Sequence, residues 1–151
     1  MCSKKTVSLF GVLFTLFLLA SAPALAGFFH KYEKVRPVAG EVRIPLEKIN
    51  DGKAHYYLFN GGEKTVKFFI VRSPDGIIRA AFDACDVCYR EKEGYSQAGD
   101  FMVCNSCGRK FHANRINVLK GGCNPAPLRR NIKDDELVIR VADILPGARY
   151  F

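Results

Sequence analysis

The amino-acid sequence predicts a mainly β fold, in which a small antiparallel sheet carries a lobe of cysteine loops and long helices are few or absent. Short segments between residues 41 and 82 alternate apolar and polar side chains, as half-buried strands do. Turn sequences such as Asn60-Gly61-Gly62 separate these segments and indicate hairpins. Five cysteines are concentrated between Cys85 and Cys123, and the chain after residue 26 shows no amphipathic helical pattern of about ten residues or more.

The first 26 residues have the features of an export signal. Lys4 and Lys5 precede an apolar run from Val7 to Ala20, and Ala24-Leu25-Ala26 supplies the small residues of a cleavage site. Because the run is short for a spanning helix, which needs about 20 residues, we expect cleavage after Ala26. The alternative is an uncleaved anchor through residues 7–22. In both cases the remaining chain is expected to be exported, for example to a periplasm.

The length of 151 residues is typical of one domain. Residues 27–39 are basic and aromatic and are expected to form an exposed lead-in, while residues 40–151 are predicted to form a single β-rich domain with the cysteine motif at 85–123. The net charge is +8, but the Lys and Arg residues form no block interleaved with aromatic residues. The charge therefore does not indicate a nucleic-acid partner. The positive charge fits attraction to an anionic membrane surface at least as well.

The strands of this domain are predicted from their alternation and their turns. The first covers residues 41–46 and includes Pro45, which places it at a sheet edge. Residues 54–59 and 63–72 are predicted to pair as a hairpin across the Asn-Gly turn. A further strand at residues 77–82 delivers the chain to the first cysteine, so the sheet holds that cysteine on a stiff element.

The chain after Cys88 has weaker patterns. Residues 89–100 are polar, with bends expected at Gly94 and Gly99, and a short apolar run at 101–103 leads into the third cysteine. Residues 111–119 are expected to form a short strand pair. Residues 137–141 are predicted to be a last strand that closes the sheet, and the Leu-Pro-Gly sequence that follows ends it.

The cysteines form two CxxC pairs and a fifth, isolated position. Cys85 and Cys88 are followed after fifteen residues by Cys104 and Cys107, and Cys123 follows after fifteen more. Two such pairs at this spacing are typical of a tetrahedral metal site. Directly after the second pair, a glycine (Gly108) can adopt a positive φ, so that backbone N–H groups point at the thiolates.

The spacing alone leaves several chemistries open. Structural disulfides would leave one of the five thiols unpaired, and a zinc ribbon would use four thiolates and leave the fifth superfluous. A redox-active iron site, mononuclear or an iron–sulfur cluster, uses the same ligand type and gives Cys123 a role as substitute or fifth ligand. Thiol–disulfide exchange by Cys85 and Cys88 is a further alternative. The neighbouring Asp83 and Asp86 are expected to raise the pKa of these thiols, which argues against exchange.

A family resemblance narrows these alternatives. The sequence AAFDACDVCY, followed by GY, GD, CNSCG and GGCNPAPL, resembles the FtrD-like family of membrane-associated iron–sulfur-containing proteins, over roughly residues 40–143. The resemblance implies an exported or membrane-bound metal protein linked to ferrous-iron uptake or related electron transfer. Family members are often fused to, or encoded beside, multi-spanning membrane proteins. Since this chain has only its signal-like segment, we expect an accessory role beside a membrane-bound transport or redox protein rather than transport itself.

The predicted site is therefore a cysteine-ligated centre of iron or iron–sulfur type, with zinc as the alternative metal. The expected ligands are Cys85, Cys88, Cys104 and Cys107, with Cys123 as substitute or fifth partner. Because the sequence shows no Ser/His/Asp set, paired carboxylates or phosphate loop, it favours an electron-transfer or metal-binding protein over an enzyme. It does not indicate an oligomeric state.

The remaining candidate side chains are assigned smaller roles. His112 and His55 are expected to be a solvated loop residue and a sheet residue, respectively, and His30 is a weak candidate for binding a metal with the new α-amino group. Tyr89 and Tyr95 are expected to pack beside the site rather than conduct electrons. Shielding of the centre from water is expected from three further apolar residues: Phe101, Met102 and Phe111.

Overall fold

The computed structural model of the protein describes residues 31–151. Within this range the chain is mainly β, with small sheets and only short helices, as the sequence predicts. No helix among these residues has the length and apolar character needed to cross a membrane. The predicted export signal or anchor and His30 lie outside the described residues.

Ten strands form three small sheets in the described part of the chain. The strands are β1 (Tyr32–Val35), β2 (Glu41–Pro45), β3 (His55–Asn60), β4 (Thr65–Arg72), β5 (Ile78–Phe82), β6 (Tyr95–Ala98), β7 (Phe101–Cys104), β8 (Lys110–His112), β9 (Asn131–Lys133) and β10 (Glu136–Arg140). A one-turn helix, α1 (Val141–Ile144), follows the last strand. Short 3-10 segments cover Leu46–Lys48, Tyr89–Glu91, Ala113–Arg115 and Leu145–Tyr150.

The central sheet has the strand order β1-β3-β4-β5. The predicted hairpin is present as β3 and β4, which pair antiparallel from Asn60 opposite Thr65 to His55 opposite Ile70. Within the lead-in expected at residues 27–39, residues 32–35 form β1, which pairs with β3 as a parallel edge strand and has no buried residue. A parallel partner needs a long connection, so no local turn signal in the sequence could indicate this pairing.

A second sheet has the order β2-β10-β9, so β2 lies at an edge, as Pro45 predicts. The expectation that the last strand closes the same sheet as the hairpin was wrong, because β10 pairs antiparallel with β2 and with β9. The strand ends at Arg140, and α1 and a 3-10 segment continue the chain. The 3-10 segment packs on the central sheet, where Tyr150 lies 5.9 Å from the ring of Phe82.

The third sheet, β6-β7-β8, belongs to the cysteine-containing part of the chain. The polar stretch at 89–100 contains β6, bounded by positive-φ residues Gly94 and Gly99. The strand pair expected at 111–119 was wrong: β8 ends at His112 and a 3-10 segment follows. Beyond that segment, the side chain of Asn117, at φ 67°, donates to the Ala80 carbonyl and accepts from the Ala80 amide. A side chain thus joins this part of the chain to β5.

Strand β4 is buried on both faces and separates two hydrophobic cores. Phe68 and Ile70 point into a first core shared with the β2-β10-β9 sheet. Phe69 and Val71 point into a second core that contains the cysteines of the third sheet. Because side chains alternate along a strand, one strand supports the scaffold with one face and the cysteine lobe with the other.

Substitution of the two neighbouring phenylalanines tests this division. Both Phe68 and Phe69 are fully buried, so Phe68→Ala and Phe69→Ala are each expected to lower the free energy of unfolding by about 3 to 5 kcal/mol. Urea titration followed by circular dichroism measures both. Only Phe69→Ala is expected to weaken metal retention as well, because its ring lies in the core that contains Cys85 and Cys104. Equal metal retention in the two variants would contradict the division into two cores.

Candidate metal centre

Three loops bring all five predicted cysteines together beside the second core. The Sγ atoms of Cys85, Cys88 and Cys104 all lie within 4.8 Å of one another. Those of Cys88, Cys107 and Cys123 form a second group within the same limit. The two CxxC pairs therefore meet, as their spacing predicts, and the isolated fifth cysteine joins them. All five are free thiols.

The five sulfurs differ in their exposure. Cys85 and Cys104 are buried, at 1% and 2% exposure, and Cys123 reaches 9%. Cys88 is half-buried and Cys107 is exposed. The cluster therefore has a side enclosed by protein and a side that faces solvent.

The second CxxC pair forms the turn that its glycine predicts. β7 ends at Cys104, whose amide donates to the Arg109 carbonyl at 2.9 Å, and the Gly108 amide donates to the Cys104 carbonyl at 2.8 Å. Gly108 has a φ of 73°, which L side chains rarely adopt. In the first pair, the Cys88 amide donates to the Cys85 sulfur at 3.1 Å. In the second pair, the Arg109 amide donates to the Cys107 sulfur and the amides of Ser106 and Cys107 donate to the Cys104 sulfur, so both turns direct backbone N–H groups at sulfur.

The thiol pKa values follow this geometry. The backbone N–H of Arg109 lowers the pKa of Cys107 to about 7, since a hydrogen bond to sulfur favours the thiolate. Burial raises the pKa of Cys104 to about 11 and raises that of Cys123. Compared with Cys104 and Cys123, the exposed Cys107 therefore has the greater thiolate character in the metal-free protein.

The pKa of Cys88 is raised to about 11, but not by the acidic neighbours that the sequence suggested. Burial is the first cause, and the other causes are hydrogen bonds with Ser106 and with other cysteines. Asp86 instead accepts a hydrogen bond from the Tyr150 hydroxyl at 2.7 Å. Asp83 is engaged elsewhere, and neither carboxylate is among the main causes of the raised pKa of Cys88.

The Asp83 carboxylate is a buried junction between three parts of the chain. Its side chain is 0% exposed. Oδ1 accepts from the Tyr95 amide at 2.6 Å, and Oδ2 accepts from the Tyr32 hydroxyl at 2.5 Å and from Lys31 Nζ at 3.2 Å. Asp83 lies two residues before Cys85, so these contacts tie the first cysteine loop to β6 and to the segment that begins β1.

Tyr95 connects Asp83 to the loops of Cys104 and Cys123. It lies opposite Cys104 in the pairing of β6 with β7. Its hydroxyl donates to the Cys123 carbonyl at 2.6 Å, and burial raises its pKa, with Cys85 as the next cause. The expectation that Tyr95 packs beside the site is correct, but its contact with the Cys123 loop was missed. Lys31 and Tyr32 were missed entirely, because they lie about fifty residues from Asp83 in the sequence.

The other candidate side chains have structural contacts. His112 Nδ1 accepts from the Asn114 amide at 3.2 Å, and its ring packs edge-on against Phe101. His55 lies 2.8 Å from Asp51 Oδ1. Phe101 is 40% exposed and does not shield the centre, whereas Met102 is fully buried in the second core, with Phe111 packed against it. Phe101 and Met102 are adjacent in a strand and therefore face opposite sides.

The donor set fits an iron, iron–sulfur or zinc centre. Both groups of mutually close ligand atoms consist of cysteine sulfur alone. Thiolate suits iron–sulfur clusters and zinc better than hard cations such as calcium or magnesium. Backbone N–H groups directed at sulfur are the contacts that stabilise thiolate charge.

Alkylation of the metal-free, reduced protein tests the assignment of Cys107. Iodoacetamide reacts with thiolate, so the rate at Cys107 is expected to reach half its maximum near its pKa of about 7. Cys88 and Cys104, with pKa values of about 11, remain protonated and slow at that pH. Mass spectrometry of peptides identifies the modified residue, and Cys107→Ser should remove the fast phase. Faster modification of Cys104 would contradict the assignment.

A pair of glycine substitutions tests the Asp83 junction. An alanine Cβ at Gly94 would lie 2.5 Å from Asp83 Oδ2, whereas one at Gly99 would meet nothing within 4 Å. Both glycines have similar positive φ values, 65° and 58°. Gly99→Ala is therefore expected to cost about 1 to 2 kcal/mol of unfolding free energy from backbone strain alone. Gly94→Ala should cost about 3 to 5 kcal/mol, because it also displaces a buried, paired carboxylate. Equal urea midpoints would contradict the role of Asp83.

The sequence matches the model of a known protein family over the region that contains the cysteine cluster. The sequence model of the family described as "Membrane iron-sulfur containing protein FtrD-like" matches residues 49–151, well over half of the chain. The match includes all five clustered cysteines and confirms the resemblance found in the sequence. No curated protein and no solved structure gives a significant match. The chain belongs to the FtrD-like family of membrane iron–sulfur-containing proteins.

Proposed function

We propose that the protein is an exported, cysteine-ligated iron or iron–sulfur protein. It serves as an accessory redox or metal-binding component of ferrous-iron uptake or respiration, beside a membrane-bound transport or redox protein. The observation that carries the proposal is the meeting of five free thiols, from three separate loops, in two groups whose ligand atoms are all sulfur. The description of the family as iron–sulfur-containing supports iron over zinc.

The proposed ligands are Cys85, Cys88, Cys104 and Cys107, with Cys123 as substitute or fifth partner. Iron held by these sulfurs supplies one-electron transfer. The chain's own contribution is to stabilise thiolate charge through N–H groups such as that of Cys88. It also excludes water from the enclosed side through buried apolar residues of the second core. Burial and hydrogen bonds to sulfur are the protein's means of setting a reduction potential.

We propose that a partner approaches the exposed side of the cluster. Cys107 is exposed, and Val87, between the first two cysteines, is 59% exposed. Arg109 and Lys110 follow the second pair and are also exposed. This basic margin, with the net charge of +8, suits a membrane-bound partner at an anionic surface. The export signal or anchor predicted from the sequence of residues 1–26 is consistent with the same location.

A structural zinc ribbon and a thiol–disulfide exchange protein would each require a cysteine arrangement that differs from the one observed. A structural zinc ribbon uses four closed thiolate positions, whereas here a fifth sulfur joins the cluster and Cys107 remains exposed. Thiol–disulfide exchange through the first pair requires an accessible thiolate, but Cys88 has a pKa of about 11 and Cys85 is buried. Both observations favour the metal-centre proposal.

Purification of the protein without oxygen tests the proposal. The expected product contains iron and absorbs visible light, and dithionite changes the absorbance reversibly. Brown colour with acid-labile sulfide identifies a cluster, and red colour without sulfide identifies iron held by thiolates alone. Cys104→Ser should lose iron and colour, whereas His112→Asn, in the same lobe, should retain both. A colourless protein with bound zinc would overturn the electron-transfer role.

A further inference from the structure

A row of side chains across the central sheet is left uncovered by the cysteine lobe. Lys34 of β1 lies opposite Leu58 of β3, which in turn lies opposite Lys67 of β4. In each strand these residues alternate with residues of the first core, so they share the face that carries Phe69. The second core covers Phe69, but Leu58 and Lys67 are only half-buried and Lys34 is exposed.

Two adjoining depressions, of about 320 and 400 Å³, open onto this row, and Lys34 and Leu58 line both of them. Among the described residues, no aspartate or glutamate lines either depression. We call this surface the β1 patch and define it by its basic, aromatic and apolar members: Lys31, Tyr32, Lys34, Arg36, Leu58 and Lys67.

The positive charge of the β1 patch is mostly not neutralised by neighbouring carboxylates. Lys31 pairs with the buried Asp83. The other three basic members form no ion pair with any residue of the described chain. The one glutamate of β1 is adjacent to Lys34 and therefore points to the opposite face. The patch thus presents cationic side chains that are free to bind an anionic partner.

Tyrosine rings hold two of the ammonium groups next to the apolar side chain of Leu58. Lys31 Nζ lies 4.3 Å from the centroid of the Tyr56 ring and 5.0 Å from that of Tyr32. Lys67 Nζ lies 5.5 Å from the centroid of the same Tyr32 ring. These distances are those of cation–π contacts. Lysine, tyrosine and an aliphatic side chain together are suited to the headgroup region of an anionic bilayer.

The chain enters the described structure beside this patch. Lys31 is the first described residue, and the predicted export signal or anchor precedes it in the sequence. If residues 7–22 remain as an anchor, residues 23–30 join it to Lys31 and span at most about 30 Å. An anchor would therefore keep the β1 patch close to the bilayer, and after cleavage the patch itself would have to supply the contact.

We propose that the β1 patch binds directly to the anionic phospholipid surface of a membrane. Its basic side chains contact lipid phosphate groups, and Leu58 lies at the level of the headgroups. Because the cysteine lobe packs on the same face of the central sheet, this contact holds the lobe beside the membrane. The inference concerns a surface outside the cysteine cluster, so it does not depend on which metal the cluster binds.

A fluorescent reporter in the patch tests this contact. The chain contains no tryptophan, so Leu58→Trp in the full chain introduces a single fluorophore. Vesicles of phosphatidylcholine with phosphatidylglycerol should shift its emission to shorter wavelength, and added salt should reverse the shift because it screens exposed charges. Vesicles of phosphatidylcholine alone should cause no shift. A matched reporter in the exposed edge strand β9, Lys133→Trp, should respond to neither vesicle.

Equal shifts of the two reporters would overturn the proposal, and so would an unchanged emission of folded Leu58→Trp. A shift of Leu58→Trp that is the same with both kinds of vesicle would also overturn it, because the contact would then not depend on anionic lipid. Iron content is measured in the same samples. Retention of iron without lipid contact would leave the proposed metal function intact.

Removal of charge tests the basic residues of the patch. Each Lys or Arg at an anionic surface strengthens binding about fivefold, so Lys34→Gln with Arg36→Gln should raise the lipid concentration at half-maximal vesicle sedimentation about 25-fold. The control, Arg129→Gln with Lys133→Gln, removes the same charge at exposed positions outside the patch and should change this concentration little. Circular dichroism checks that both double variants fold.

Equal weakening by the two double variants would show attraction by net charge alone and would overturn the proposed patch. Soluble polyglutamate serves as a second probe. Its binding to the patch in the absence of any vesicle binding would assign the surface to an acidic protein and would likewise overturn the membrane proposal.

Discussion

The buried carboxylate of Asp83 is the interaction on which the cysteine lobe depends. Burying an ionised carboxylate is strongly unfavourable unless every oxygen is satisfied, and here an amide, a hydroxyl and an ammonium group satisfy it. Each donor comes from a different residue, and together they fix β5, β6 and the start of β1 relative to one another. Tyr95 extends the junction to the loop of Cys123. The positions of the sulfurs thus follow from a polar contact outside the centre.

The central sheet separates the scaffold core from the core that contains the cysteines. On one face, the aromatic and aliphatic side chains of β4 pack with the β2-β10-β9 sheet in a core that includes none of the clustered cysteines. On the other face, the same strand contributes Phe69 and Val71 to the core that contains Cys85, Cys104 and Cys123. Because the scaffold core does not include the cysteines, it provides a stable platform against which three irregular loops can be held. The second core in turn removes water from the inner sulfurs.

The gradient of exposure across the sulfurs has a chemical consequence. Enclosed sulfurs favour retention of a metal and a stable reduction potential, while exposed sulfurs favour exchange with a partner. Cys88 lies at the boundary between the two environments and contacts both groups. The fifth cysteine, Cys123, completes the group of sulfurs that contains the exposed Cys107.

The sequence by itself determined the local features: the β3–β4 hairpin, the turn at Gly108, the edge position of β2 and the identity of the clustered cysteines. Each of these depends on residues that are close in the chain, so turn chemistry and alternation are sufficient to predict them. The tertiary structure alone decided the parallel pairing of β1, the separate sheet formed by β10 and the overlapping grouping of the sulfurs. It also decided the partners of Asp83, which the sequence assigned to the wrong role. These features join segments that are far apart along the chain, and their geometry is fixed by packing and burial, which no local pattern records.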